Sequence, residues 1–303
     1  MNKYLKYAGY AFSGLFFLSL LPNLFQELKK NWSNLLHPKA KLAIVTIQGE
    51  ITNPNHVFRQ LQTHFSDKAI QGILLYIDCG GGAAGASQAI YEDLKALKAE
   101  YPKPVVTLTH NICASGAYYI ATATDYIVAA PSTVIGSIGS YIGFFGVKEL
   151  LDKVAVKYQV QKSGQYKLVA NPFVTADSTN QQLLQAVSDS CYQQFIHDVA
   201  ASRKLELKQV SVWGEGKIFT GAQAQTLGLV DELGANYCAI NKLKELAKIP
   251  KAQEIAWISA PKPSPLVKIL GGDTEGDGLP ANLTTLATQL YTRLTNEQLA
   301  VRF

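Results

Sequence analysis

The sequence predicts an α/β domain built on a mostly parallel sheet with helical crossovers, preceded by one membrane-spanning helix. Three observations lead there. Short β-branched or aliphatic runs alternate with longer stretches of helical period from residue 42 onward. Each strand-like run is followed by a helix-length crossover, the connection that parallel strands covered on both faces require. Finally, twenty uncharged residues, Tyr7 to Gln26, lie between Lys6 and Glu27. As a helix they would reach about 30 Å, one bilayer crossing.

The elements follow in chain order. No small-x-small cleavage signal succeeds the apolar run, so residues 1–30 are expected to stay as a membrane anchor. Lys3 and Lys6 before it and Lys29 and Lys30 after it leave the positive-inside rule undecided. A polar neck, 31–41, leads into a body expected over 42–259. Strands are predicted at Leu42–Ile47, Gly72–Asp78, Val105–His110, Tyr126–Ala129 and Val156–Gln161, and helices at about 56–68, 85–100, 115–124 and 147–154. From Asp177 a longer helix carries Leu184, Val187, Cys191, Phe195 and Val199 as one apolar stripe, which must pack on the core or on another subunit. Residues 260–303 read as a flexible linker, with Pro261, Pro263, Pro265 and the glycine-rich run 271–278, and then a short amphipathic tail.

Composition narrows the partners. Of the 303 residues 48% are hydrophobic and 17% charged, against a usual ~25% charged, which excludes a disordered chain and favours a membrane or subunit contact. The net charge of +5 comes with no basic cluster, so nucleic acid is not an expected partner. Cys79, Cys113, Cys191 and Cys238 have no zinc-binding spacing, and neither a metal nor a cofactor is expected.

Two segments could carry chemistry. Asp78-Cys79-Gly80-Gly81-Gly82-Ala83-Ala84-Gly85 follows a predicted strand and opens a helix, so its backbone N–H groups can approach a ligand that is, or becomes, anionic. Gly80, Gly82 and Gly85 match a dinucleotide-binding spacing, but the next strand ends on Thr109-His110-Asn111 with no acidic residue. A tight structural turn is the plainer alternative. In the second segment, His110 to Ala121, Ser115 and Gly116 stand where a strand passes into a helix. Alone, such a serine is most often an N-cap worth ~1 kcal/mol. Paired with the glycine turn on a neighbouring strand, it reads as a nucleophile beside two N–H donors.

A nucleophilic serine needs a base. His37, His56, His64 and His197 lie in other segments, and His110, five residues before Ser115, could reach it only if the chain doubled back. The remaining candidates are Lys162 and Lys167. A lysine acting as a base at pH 7 must lower its ordinary pKa of about 10.4 by ~3 units, which costs ~4 kcal/mol and demands an apolar pocket.

These residues resemble the signal peptide peptidase A (protease IV) group of Ser/Lys peptidases, related in fold to the Clp protease subunit and the crotonases. The similarity covers about residues 42–250. It rests on Tyr76 to Gly82 with Ala86 to Tyr91, on Ala114 to Ala121, on Gly136 to Ser140, on Ser163 to Lys167 followed by Pro172-Phe173, and on Phe219 to Ala224 through Gly228 to Gly234. The resemblance implies Ser115 as nucleophile, Lys167 as general base, Gly82 and Gly116 as oxyanion donors, and Ser137 as the hydroxyl that orients the lysine. One departure stands out: the family's usual Asn-Ser-Pro-Gly-Gly is Asp78-Cys79-Gly80-Gly81-Gly82 here, and loss of the proline loosens the turn. The implied fold also sets Cys79 and Cys113 at neighbouring strand ends, where a disulfide or redox control is conceivable.

The resemblance further implies a homo-oligomer in which the lysine can serve a neighbouring subunit. It implies a catalytic domain outside the cytoplasmic membrane, acting on apolar peptides such as signal peptides left in the bilayer. Two other readings use the same fold: a crotonase-like acyl-CoA enzyme, which would need neither Lys167 nor the anchor, and an inactive membrane scaffold.

Overall fold

A computed structural model describes residues 39–175 and 177–259. The strands β1 (Ala40–Gln48), β2 (Ile70–Asp78), β3 (Val105–Thr109) and β5 (Tyr126–Ala129) form the centre of a six-stranded sheet, with β8 (Glu232–Leu233) and β9 (Ile255–Ser259) at its edges. The order is β8-β5-β3-β2-β1-β9, and every pair is parallel. Every residue of β3, Val-Val-Thr-Leu-Thr, is buried, as a strand covered on both faces must be.

Alternate residues feed two cores. Ala43, Val45, Ile47, Ile73, Leu75 and Ile77 face one layer of helices, while Leu42, Leu74, Val106, Leu108 and Val128 face α8 (Asn236–Leu246) through Ala239 and Leu243. On the first face lie α1 (Asn55–Ser66), α2 (Ala84–Glu100) and α3 (Gly116–Ala121). Helix α1 buries Val57, Leu61, His64 and Phe65, the i, i+4, i+7, i+8 stripe of an amphipathic helix. Helix α4 (Lys148–Lys153) buries no residue. The long α5 (Ser178–Arg203) is capped by Asp177, whose side chain accepts from Asn180 N–H. Only its C-terminal half is buried, through Phe195, Ile196, Val199 and Ala200; Leu183 and Val187 in its first half are exposed. Tyr119 stacks between Tyr91 and Phe195, each at 4.6 Å between ring centroids, and so locks α3 between α2 and α5. Arg203 closes the fold with a bidentate pair to Asp231 and a bond to Gly228 O.

A second, small sheet decides where the site lies. It joins β4 (Ile112–Ala114) to β6 (Val134–Gly136) in parallel and β6 to β7 (Ile218–Thr220) in antiparallel pairing. Helices α6 (Val210–Trp213) and α7 (Gly221–Thr226) flank β7.

One expected strand is corrected. Residues 156–161 form no strand, and the segment is exposed. Its Val156, Tyr158 and Val160 alternate as a half-buried strand would, but no strand among the described residues pairs with it, and an unpaired strand does not persist. The anchor, most of the neck and the 260–303 tail lie outside the described residues. Among the described residues no helix is long and apolar enough to cross a membrane.

His64 gives the fold a pH dependence. It is buried, and neither ring nitrogen has a hydrogen-bond partner among the described residues. Burial holds its pKa below the ordinary 6.5; nearby Asp67 opposes this and Lys103 reinforces it. Between that lowered native value and about 6.5, the unfolded chain binds a proton that the native state refuses. Stability is therefore complete above this window and declines as pH falls through it. The urea midpoint is expected to be lower at pH 5 than at pH 7, with much of the difference removed in His64→Leu. An equal pH dependence in that variant would exclude His64 as the source.

Candidate active site

The carboxyl end of β2 and the start of α3 build the site together. Cys79, just beyond β2, bridges to Cys113 of β4: its N–H donates to Ile112 O at 2.9 Å, and its carbonyl accepts from Ala114 N–H at 3.2 Å. Beyond Ala114 the strand breaks at Ser115, which sits at φ 55, ψ −128. A positive φ is unusual for a residue with a Cβ and costs on the order of 1–3 kcal/mol, so the surroundings must enforce it. They do so from both sides: Ser115 N–H donates to Gly136 O at 2.7 Å, and Ser115 O accepts from Tyr119 N–H at 3.0 Å. The Ser115 side chain makes no capping bond, so the N-cap reading does not describe it. The residue is only 4% exposed, yet it lines a cavity of about 500 Å³.

The glycine turn packs directly against this serine. Gly81 has φ 110, and a Cβ there would stand 2.8 Å from both Gly116 N and Ser115 Cβ. Ile51 staples the turn from the other side. Its N–H donates to Gly81 O at 3.0 Å, and its carbonyl accepts from Ala83 N–H at 2.7 Å. In a trans peptide the C=O and the following N–H point in opposite directions, so tying Gly81 O to Ile51 turns Gly82 N–H away from Ile51. A Cβ built on Gly116 would lie 3.5 Å from Gly82 N, so the two glycines adjoin beside Ser115. Gly116 is the first residue of α3 and has no intrahelical acceptor for its N–H.

Ser137, also at positive φ (52), is held by its N–H to Lys217 O at 2.6 Å and lines the same cavity as Ser115. Of the predicted site residues, Ser115, Gly82, Gly116 and Ser137 are thus brought together. Lys167 is not brought to them within one chain. It is exposed, in a turn where its N–H donates to Gly164 O at 3.3 Å, and it does not line the cavity. Among the described residues, the ionisable side chains that do are Glu50, Asp78, Cys79 and Tyr141. His110 stacks edge-on to Tyr76 and does not line the cavity. Cys79 and Cys113 are free, buried thiols, and burial pushes both above their ordinary pKa.

Sequence reasoning missed three contributors. Ile51 orients the Gly81–Gly82 peptide from thirty residues upstream, Glu50 supplies charge to the cavity, and Ser140 joins it to two further hollows of about 330 and 340 Å³ beside α5. Only Ser140 had a signal, since it ends the Gly136 to Ser140 motif. The segment leading away from Ser140 exposes Tyr141, Phe145, Leu150, Val154, Val156, Tyr158 and Tyr166, with Phe145 75% exposed. These side chains leave a run of apolar surface exposed along one arm.

Comparison with known proteins places this chain among proteases. The family model described as peptidase family S49 matches residues 96–250, and that of Clp protease matches residues 27–135. The Synechocystis protein "Putative protease slr0021" is 36% identical over 255 residues, covering 83% of this chain and 91% of its own length. An Enterococcus faecium protein, "Putative signal peptide peptidase SppA", is 32% identical over 205 residues, which are 68% of this chain and 59% of that protein. Protease 4 of Salmonella typhi is 35% identical over 189 residues, 60% of this chain and 29% of its own.

Proposed function

The chain belongs to peptidase family S49 and is a protease, and from that premise we propose a serine endopeptidase in which Ser115 is the nucleophile and Lys167 of a neighbouring copy is the general base. One observation carries the reading: an uncapped serine hydroxyl, on a backbone turn held at positive φ, opens into a cavity where two glycines adjoin.

In the proposed cycle, neutral Lys167 takes the Ser115 proton and the alkoxide attacks the peptide carbonyl. Gly82 and Gly116 N–H hold the oxyanion, each worth ~3 kcal/mol in the transition state. The lysine then passes its proton to the leaving amine and, neutral again, takes a proton from the water that attacks the acyl-enzyme, returning it to Ser115 Oγ as the acyl group leaves. Ser137 Oγ orients the lysine. For Lys167 to lose its proton near pH 7 it must leave water, and a cavity closed by a second copy supplies that burial. Its exposed place on an apolar arm supports this reading, because the arm has surface to bury and no lysine among the described residues lines the cavity. The substrates proposed are apolar segments, including signal peptides left in the membrane. The enzyme would be held there by residues 7–26, single-pass, with its catalytic domain outside the cytoplasm.

Complementation tests the shared site. Full-length Ser115→Ala and Lys167→Ala proteins are each expected to be inactive on an apolar fluorogenic peptide. Dissociated, mixed in equal amounts and reassembled, they should regain about a quarter of wild-type activity, the fraction of ring contacts that join an intact serine to an intact lysine. A mixture as inactive as its components, beside an active wild type, would exclude Lys167 acting across subunits. A wild type no faster than Ser115→Ala would remove the peptidase reading itself.

A further inference from the structure

We propose that the Cys79 thiol is a positioning residue for the reaction: it clamps the Gly80–Gly81 peptide from within the turn and so steadies the Gly82 N–H that Ile51 orients. The inference rests on the serine peptidase reading above and adds to it the group that holds one oxyanion donor in place.

The turn is tied at both ends by backbone. Before it, Cys79 N–H and C=O are bonded to Ile112 and Ala114; after it, Gly81 O and Ala83 N–H are bonded to Ile51. The peptide between Gly80 and Gly81 lies between these ties. It joins two residues without side chains, which have the greatest backbone freedom to lose on folding. Cys79 Sγ holds that peptide, accepting Gly81 N–H at 3.2 Å. At 2.8 Å the same sulfur donates to Gly49 O, on the segment that carries Ile51. One side chain thus crosslinks the turn to its staple. It must be protonated to do so, because a thiolate has no proton for Gly49 O, and burial favours the thiol. A side chain that caps the N–H two residues on is the familiar means of fixing a tight turn. Here it stands in for the ring constraint that a proline at position 80 would provide.

That equivalence yields a rescue. Gly80 is outside the left-handed region, and a Cβ there would meet only Ile112 Cδ1, at an ordinary 3.6 Å. A proline at 80 would fix φ near −65° without the thiol.

Cys79→Ala is expected to lower kcat on an apolar fluorogenic peptide about ten- to a hundredfold, as a small misplacement of one donor does, with KM changed less than about twofold. Inhibition by the matching peptide aldehyde, whose adduct places an oxyanion on the same donors, should weaken by the same factor as kcat/KM. Cys79→Ser should recover part of the loss, and Cys79→Ala with Gly80→Pro should recover most of it. Amide hydrogen exchange over residues 79–83, which needs no activity, should speed up about tenfold in Cys79→Ala. Full activity in Cys79→Ala, a loss confined to KM, unchanged exchange, or a proline variant as slow as the single one would each overturn the clamp. If the wild type cleaves no better than Ser115→Ala, the peptidase reading fails, while the exchange measurement still decides whether the thiol holds the turn.

Discussion

Replacing Ser115 by alanine is expected to lower peptide hydrolysis about ten thousandfold or more while leaving the protein folded, because the change deletes the attacking oxygen and nothing that holds the turn. The backbone bonds that enforce φ 55, from Ser115 N–H to Gly136 O and from Tyr119 N–H to Ser115 O, do not involve the hydroxyl. Alanine keeps the Cβ and hence the strain. Glycine at the same position removes both, so Ser115→Gly should be as inactive as Ser115→Ala yet more stable by about 1 kcal/mol, read as a higher urea midpoint. A serine under strain that only catalysis explains should show this pattern. If Ser115→Ala hydrolysed at wild-type rates, the nucleophile would have to be sought elsewhere in the cavity.

The second large effect falls on the two glycines, and geometry predicts that they fail differently. A Cβ at Gly82 would sit 2.2 Å from Ile51 O and 2.6 Å from Ile51 N, both backbone atoms that cannot step aside. Gly82→Ala must break the staple, and with it the donor, so kcat is expected to fall about a hundred- to a thousandfold, with a lower melting temperature. At Gly116 the obstacle is a side chain: Ser87 Oγ at 2.2 Å and its Cβ at 2.8 Å. Ser87 is fully buried and its hydroxyl has no hydrogen-bond partner among the described residues. Gly116→Ala should therefore also lose activity, but Ser87→Gly in the same chain makes room and should return much of it, less the roughly 1 kcal/mol that a glycine costs within α2. A Gly82→Ala protein with normal kinetics would contradict the role given to that N–H. Failure of Ser87→Gly to help Gly116→Ala would place the obstacle elsewhere.

The acyl-CoA alternative that the glycine turns allowed gives way to the S49 membership, since a shared cradle of amides serves either chemistry and only the family distinguishes them. The scaffold alternative is tested by the Ser115 and complementation experiments, and an active wild type beside an inactive Ser115→Ala would exclude it.

The amino-acid order alone was enough for the central strands β1, β2, β3 and β5, because strands covered on both faces are rich in aliphatic residues and parallel pairing demands the helices seen between them. It was enough, too, for the turn at Ser115-Gly116 and for the glycine run, whose composition permits backbone shapes that other residues resist. Tertiary structure alone decided the rest. Residues 156–161 carry a strand's alternation but pair with no strand among the described residues, whereas β4 and β6, three residues each, became strands because they pair with each other and β6 pairs with β7. Ile51 and the Cys79 thiol govern the Gly82 N–H through contacts between segments about thirty residues apart. Lys167 stands away from the cavity of its own chain. The physical reason is common to all of these: periodicity reports which face of a segment is apolar, while hydrogen bonds between distant segments exist only once the chain has closed.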